Sequence, residues 1–180
     1  MMTYEIICAG FGGQGVLFMG KMLAYAGMLE GREVSWIPSY GPEMRGGTCN
    51  CSVVVSDRKV GTPVVSTPNV LIALNRPSQE KFESRMQKDG LMLVNKTLIE
   101  IDPARSDIDV CNAELTKIAS DLGNVKLANV VALGALIARR PIVKKESVIQ
   151  ALRGELTGKK EALLEVNLKA LDAGIAAAGG

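Results

Sequence analysis

The apolar run from Tyr4 to Ala9 leads directly into the glycines of GFGGQG, and a stretch with apolar residues at helical spacing, VLFMGKMLAYAGMLEG, follows at once. A strand, a glycine turn and a helix are predicted in that order, with Gly31 placed to end the helix. Gly10, Gly12 and Gly15 satisfy G-x-G-x-x-G in the setting that gives the pattern meaning, and Phe11, Gly13 and Gln14 fill its open positions. Glycines permit a tight turn and close approach, and the first free amides of a helix favour an anion, so a phosphate or diphosphate is the natural guest. Gln14 adds an amide at the lip of the turn, able to bond a ligand or the neighbouring backbone. The competing reading is a turn that only packs helix on strand.

Further strands are predicted in EVSWIP, NVLIAL, LMLVN and DIDVCN, and TCNCSVVVSDRKVGTPVV reads as a long strand with a turn near Asp57 to Lys59 and a short return. PSQEKFESRMQKDG begins at a proline and ends at a glycine, as helices do. AELTKIASDLG, LANVVALGALIARR, KKESVIQALRGEL and KEALLEVNLKALDAGIAAA supply later helices, with fraying expected in the small-residue tail AGIAAAGG. Strands alternating with helices predict an α/β fold: a single-domain, mostly parallel open sheet flanked by helices, Rossmann-like, with a local antiparallel addition from the long middle strand. No linker or repeat interrupts the pattern, so residues 1–180 are read as one domain.

A net charge of +2 with 22% charged residues gives no field for nucleic acid or a membrane surface. The longest apolar stretch, LANVVALGALIA, is too short to cross a bilayer, and the first residues carry no leader pattern, so a cytoplasmic protein is expected. Cys8, Cys49, Cys51 and Cys111 read as buried free thiols, because Cys49-x-Cys51 lacks the spacing of a zinc or iron–sulfur site; no metal is placed here. The chain has no histidine, which removes the commonest general base and metal ligand together.

Between two of the predicted strands lies SYGPEMRGG. Arg45, flanked by Gly46 and Gly47, can present its fork to a phosphate or carboxylate; Glu43 can pair with it or with a partner's cation; Tyr40 offers a ring and a hydroxyl. Ser39, Gly41 and Pro42 shape the entry to the segment. In an open α/β sheet this segment and the glycine turn leave strands at the same edge and are expected to face one another. Solvated charges and a tyrosine that only buttresses the turn are the alternative. A dinucleotide site wants an acid at the end of the second strand, where Pro38 and Ser39 stand instead. No nucleophile with a base is visible, so the chain reads as part of a site.

GFGGQGV followed by IPSYGPEMRGGTCNCSVVVSD closely resembles the gamma subunit of the 2-oxoacid:ferredoxin oxidoreductases, most closely the 2-oxoglutarate type, and the resemblance extends through VLIALNRPSQEKF, GLMLVN and NVVALGAL. Related gamma domains occur in the pyruvate, branched-chain 2-oxoacid and indolepyruvate enzymes. The resemblance implies one subunit, inactive alone, of an enzyme that decarboxylates a 2-oxoacid, joins the acyl group to coenzyme A and passes electrons to ferredoxin. It implies alpha, beta and ferredoxin-like delta partners, with thiamine diphosphate and iron–sulfur clusters on those subunits and coenzyme A in a shared pocket. The family's two motifs fall on Gly10, Gly12, Gly13, Gln14 and Gly15, with Phe11 between them, and on Ser39, Tyr40, Gly41, Pro42, Glu43, Arg45, Gly46 and Gly47. A stand-alone nucleotide-binding dehydrogenase and a non-catalytic docking module are the alternatives.

Overall fold

The computed structural model describes residues 2–39 and 48–178. The expectations placed on Tyr40, Gly41, Pro42, Glu43, Arg45, Gly46 and Gly47 lie outside the described residues. Strands β1 (Thr3–Phe11), β2 (Glu33–Ser39), β3 (Thr48–Ser56), β4 (Val70–Ala73), β5 (Leu91–Asn95) and β6 (Asp109–Ala113) form one sheet in the order β2-β3-β1-β4-β5-β6. Five strands run the same way and β3 runs against them, paired with β2 on one side and β1 on the other. Its helices are α1 (Val16–Leu29), α2 (Arg76–Phe82), α3 (Leu115–Asp121), α4 (Ala128–Arg139), α5 (Lys145–Glu155) and α6 (Leu164–Ala178).

The strands are apolar on both faces, and successive side chains enter different cores, as period-two alternation requires. Ile6, Cys8, Ile72 and Leu93 pack with α1, α3, α4, α5 and α6, whereas Ile7, Ala9, Leu71 and Met92 pack on the other face with Phe82 of α2, Val65, Met86 and Ile99. Burying the larger cluster is the main stabilising term, at roughly 25 cal/mol for each Å² of apolar surface removed from water. Helix α1 ends as expected at Gly31, whose φ of 72° gives the left-handed turn a helix stop needs.

The α/β class, the mostly parallel sheet and the antiparallel addition from the long middle strand stand as expected, with β3 lying inside the sheet. The expected return strand does not form at residues 60–65. That segment crosses the second face, where Val65 is buried and its amide bonds the Ser52 hydroxyl at 3.4 Å instead of joining a ladder. Helix α2 is also shorter than its sequence pattern: capped by the Asn75 side chain on the Ser78 amide at 2.9 Å, it passes into a 3-10 turn at Glu83–Arg85 and stops. Met86 then turns into the core and the Gln87 amide bonds Pro68 O, which extended chain can do and helix cannot.

The tail described to Ala178 is helix, not a frayed end. Gly134 of α4 lies against the Leu171 carbonyl and Gly174 of α6 against the Val131 carbonyl, so the small residues are what lets the two helices touch backbone to backbone. A methyl at either position collides with backbone that no rotamer change can move.

Candidate functional site

The carboxyl ends of β1, β2, β4 and β5 share one edge of the sheet, and β3 starts there, Thr48 pairing with Phe11. Gly10 and Phe11 are the last residues of β1, one step before the turn. A Cβ on Gly10 would stand 2.6 Å from Gln14 Oε1 and 2.9 Å from Val16 Cγ2, so this glycine is required for close approach. Gly13 and Gly15 have φ of 94° and 74°, which is why the turn itself demands glycine. Gly12 lies within the same turn.

Gln14 binds the backbone around it. Its Oε1 accepts from the Phe11 amide at 2.6 Å, its own amide donates to Phe11 O at 3.1 Å, and its Nε2 reaches Leu74 O at 3.5 Å. Asn95 Nδ2 donates to the same Leu74 carbonyl at 3.1 Å and to Thr116 Oγ1 at 2.8 Å, while Asn95 Oδ1 accepts from the Thr116 amide at 3.2 Å. From the α4 side, Asn129 Nδ2 donates to Gly15 O at 3.3 Å. These bonds tie together the ends of β1, β4 and β5 and the starts of α1, α3 and α4. Asn95, Thr116 and Asn129 were missed by motif reasoning. The sequence signal was an asparagine closing the apolar run LMLVN and another opening the apolar helix LANVV.

Beside the glycine turn is a cavity of about 140 Å³ lined by Gly13, Gln14, Leu98, Thr116, Lys126 and Ala128, with Val125 at its rim. Helix α1 begins at Gly15 without a side-chain cap or a first-turn acid, so its leading amides have no intrahelical acceptor and favour negative charge. Lys126 adds a cation, and Leu98 and Val125, 45% and 55% exposed, give an apolar rim. This arrangement suits a phosphate-sized group carrying an apolar arm. It is smaller than the several hundred Å³ typical of a whole cofactor site. A larger cavity of about 490 Å³ lies elsewhere, between α2 and residues 101–105, and the carboxylates of Glu80, Glu83 and Asp102 make it a poor anion site.

Of the second motif, Ser39 is described: it ends β2 at the same edge, paired with Asn50. Because β3 separates β2 from β1, the end of β2 stands two strands from the glycine turn, roughly 10 Å away, and could not serve as a ribose-binding position even with an acid there. All four cysteines are free and buried. Among the described residues no helix is long and apolar enough to cross a membrane.

The family described as pyruvate ferredoxin/flavodoxin oxidoreductase matches residues 5–177. The chain belongs to that family. Among its relatives, the ketoisovalerate oxidoreductase subunit VorA of Methanothermobacter marburgensis is 40% identical over 92% of this chain and 34% of its own length. The chain thus spans about a third of that relative. The 2-oxoglutarate synthase subunit KorC of Methanocaldococcus jannaschii is 36% identical over 84% of this chain and 82% of KorC. The crystal structure of a keto/oxoacid ferredoxin oxidoreductase gamma subunit from Geobacter sulfurreducens superposes with a TM-score of 0.84 at 30% identity, over 97% of this chain and 98% of that one. The 2-oxoglutarate:ferredoxin oxidoreductase of Magnetococcus marinus, solved with 2-oxoglutarate, coenzyme A and succinyl-CoA bound, shares the fold with a TM-score of 0.89 at 24% identity, over 99% of this chain and 31% of that one.

Proposed function

We propose that this chain, acting as one domain over residues 1–180, is the gamma subunit of a cytoplasmic 2-oxoacid:ferredoxin oxidoreductase that converts 2-oxoglutarate to its acyl-coenzyme A with electrons passed to ferredoxin. The observation that carries the reading is the family match over residues 5–177. KorC, matched along most of its own length, favours 2-oxoglutarate, while the higher identity to VorA favours a branched-chain 2-oxoacid as the competing substrate.

Partner alpha, beta and delta subunits complete the site. Thiamine diphosphate held there supplies the electron sink for decarboxylation, and iron–sulfur clusters there carry electrons onward. The thiols of this chain fit neither role, since cluster ligation needs several thiolates converging on one site, and no three metal-ligating side chains group together among the described residues. The glycine-turn crevice does fit coenzyme A: the α1 amides and Lys126 suit a phosphate, and Leu98 and Val125 suit the apolar arm. We assign the segment from Ser39 to Gly46, with Tyr40, Glu43 and Arg45, to the contact with a neighbouring subunit.

Purifying the complex from its own cells through a tag on this chain tests the reading. The expected result is recovery with a thiamine-binding subunit and coenzyme A-dependent reduction of ferredoxin, fastest with 2-oxoglutarate, and no activity from the isolated chain. Activity of the chain alone, or recovery without any thiamine-binding partner, overturns it. Faster turnover with 2-oxoisovalerate overturns the substrate assignment only.

A further inference from the structure

One hydroxyl at the sheet edge has its polarity fixed. Asn95, the last residue of β5, is fully buried, and its carboxamide is oriented from two sides. Oδ1 accepts from the Thr116 amide at 3.2 Å, and Nδ2 donates to the Leu74 carbonyl at 3.1 Å. Turning the amide over would set donor against donor and acceptor against acceptor. Nδ2 gives its second hydrogen to Thr116 Oγ1 at 2.8 Å, so that oxygen is an acceptor there and its own proton points elsewhere.

The Leu74 carbonyl is not free to receive that proton. Its two lone pairs face Asn95 Nδ2 and, at 3.5 Å, Gln14 Nε2. The hydroxyl makes no other hydrogen bond among the described residues. Thr116 is half-buried in the first turn of α3 and lines the cavity beside the glycine turn, so the proton is left for whatever occupies that space. The neighbouring side chains agree with an acceptor there. Gln14 is engaged with backbone at both ends of its amide, and Lys126, whose own N–H is held by Asn124 Oδ1 at 3.0 Å, forms no ion pair with a described carboxylate. The lining side chains therefore present donors without a free acceptor, which favours an ionised phosphoryl oxygen over a group that must itself donate.

Resting on the assignment of this crevice to coenzyme A, we infer that Thr116 is a binding residue that donates its hydroxyl proton to a phosphoryl oxygen of that ligand, with Asn95 as its positioning residue. Asn95 does not touch the ligand. By occupying one lone pair of Oγ1 and the inward carbonyl, it leaves the hydroxyl aimed outward before the ligand arrives, so little ordering is needed on binding.

The test uses the purified complex carrying Thr116→Val, Thr116→Ser, Asn95→Ala or the Asn95→Ala/Thr116→Val pair. Titration calorimetry with coenzyme A, without 2-oxoacid, gives Kd; steady-state rates give KM and kcat; melting temperatures are taken on the isolated chains. Thr116→Val should weaken coenzyme A about tenfold in Kd and KM while kcat at saturation is unchanged, and Thr116→Ser should stay within about twofold of the wild type. Asn95→Ala should weaken it about threefold, and should add nothing once Thr116 is valine, because it acts through that hydroxyl. Where Asn95→Ala does not assemble, the two Thr116 variants decide by themselves. A lowered melting temperature of Thr116→Val with unchanged Kd makes the hydroxyl a scaffold group and overturns the proposal, as does a Thr116→Ser complex that binds as weakly as Thr116→Val. In either case the gamma-subunit reading stands, whereas a wild-type complex that binds no coenzyme A overturns the crevice assignment itself.

Discussion

Cys8 of β1 and Cys51 of β3 are direct partners across the antiparallel pair, both fully buried, and the Cys51 thiol donates to Val16 O at 3.7 Å. The neighbouring Cys8 thiol holds Cys51 below the ordinary thiol range, against the opposing effect of burial, and Cys8 is itself pushed up. The Trp36 indole N–H, buried without an oxygen acceptor, lies beside the same sulfur. Reactivity nonetheless requires access. In the folded chain essentially none of the four cysteines should react with an alkylating reagent at neutral pH, and all four should react in denaturant; mass spectrometry of the labelled protein counts them. Rapid labelling of Cys51 in the folded chain would contradict the buried placement.

Gly20 of α1 sits against that sulfur, in the space its own Cβ would need, and Val53 Cγ2 would stand 3.1 Å from the same atom. Gly20→Ala is therefore expected to cost about 1–3 kcal/mol through overpacking, despite the better helix propensity of alanine. Cys51→Ala removes the obstruction, so the double variant should be more stable than the two separate losses predict. Denaturant midpoints for the four proteins of the cycle measure the coupling, and simple additivity would disprove the contact as its cause.

Gln14 offers a separation of scaffold from ligand effects. Gln14→Leu leaves the Phe11 amide without its side-chain acceptor and should cost about 0.5–1.5 kcal/mol, a modest loss because water reaches this bond. Gln14→Glu keeps the acceptor and places an acid near the α1 start, where it suits the helix, yet repels an anion in the crevice. Losing the weak Nε2–Leu74 O bond, it is expected to lower the melting temperature no more than Gln14→Leu does, while weakening coenzyme A by about tenfold, equivalent to roughly 1.4 kcal/mol. Steady-state saturation of the purified complex with coenzyme A reads this out.

Asp57 accepts from the Met2 amide at 2.7 Å, the main reason its carboxyl titrates below the ordinary 3.8, with Arg32 at 3.0 Å adding to the effect. A carboxyl depressed in the folded state stabilises above its unfolded value and loses that contribution as pH falls through 3.8 and below. Asp57→Asn should lower the melting temperature at neutral pH and flatten its fall in acid. Parallel wild-type and variant curves down to about pH 2 would exclude Asp57 from the acid response.

The strand, turn and helix around GFGGQG were legible because glycine and apolar spacing act locally, and Gly31 stopped α1 where its φ requires. The buried thiols were legible from their valine-rich neighbourhoods. The position of β3 was not, since the choice between adding at an edge and inserting beside β1 is made by pairing across long chain separations. Nor was the crevice's far wall: Leu98 of the connection after β5, Thr116 of the first turn of α3 and Lys126 of the connection before α4 meet only at the folded sheet edge. The helical end described to Ala178 was misjudged because small residues weaken a free end yet are what permits backbone contact with α4.

The reversed strand has a territorial consequence. With β3 standing between β1 and β2, the glycine turn opens toward the connections after β5 and α3, while a groove floored by Asn50 and Ser52 belongs to β3. One sheet thereby holds two separate borders, and substitutions at the β2–β3 end can accumulate without disturbing the glycine turn.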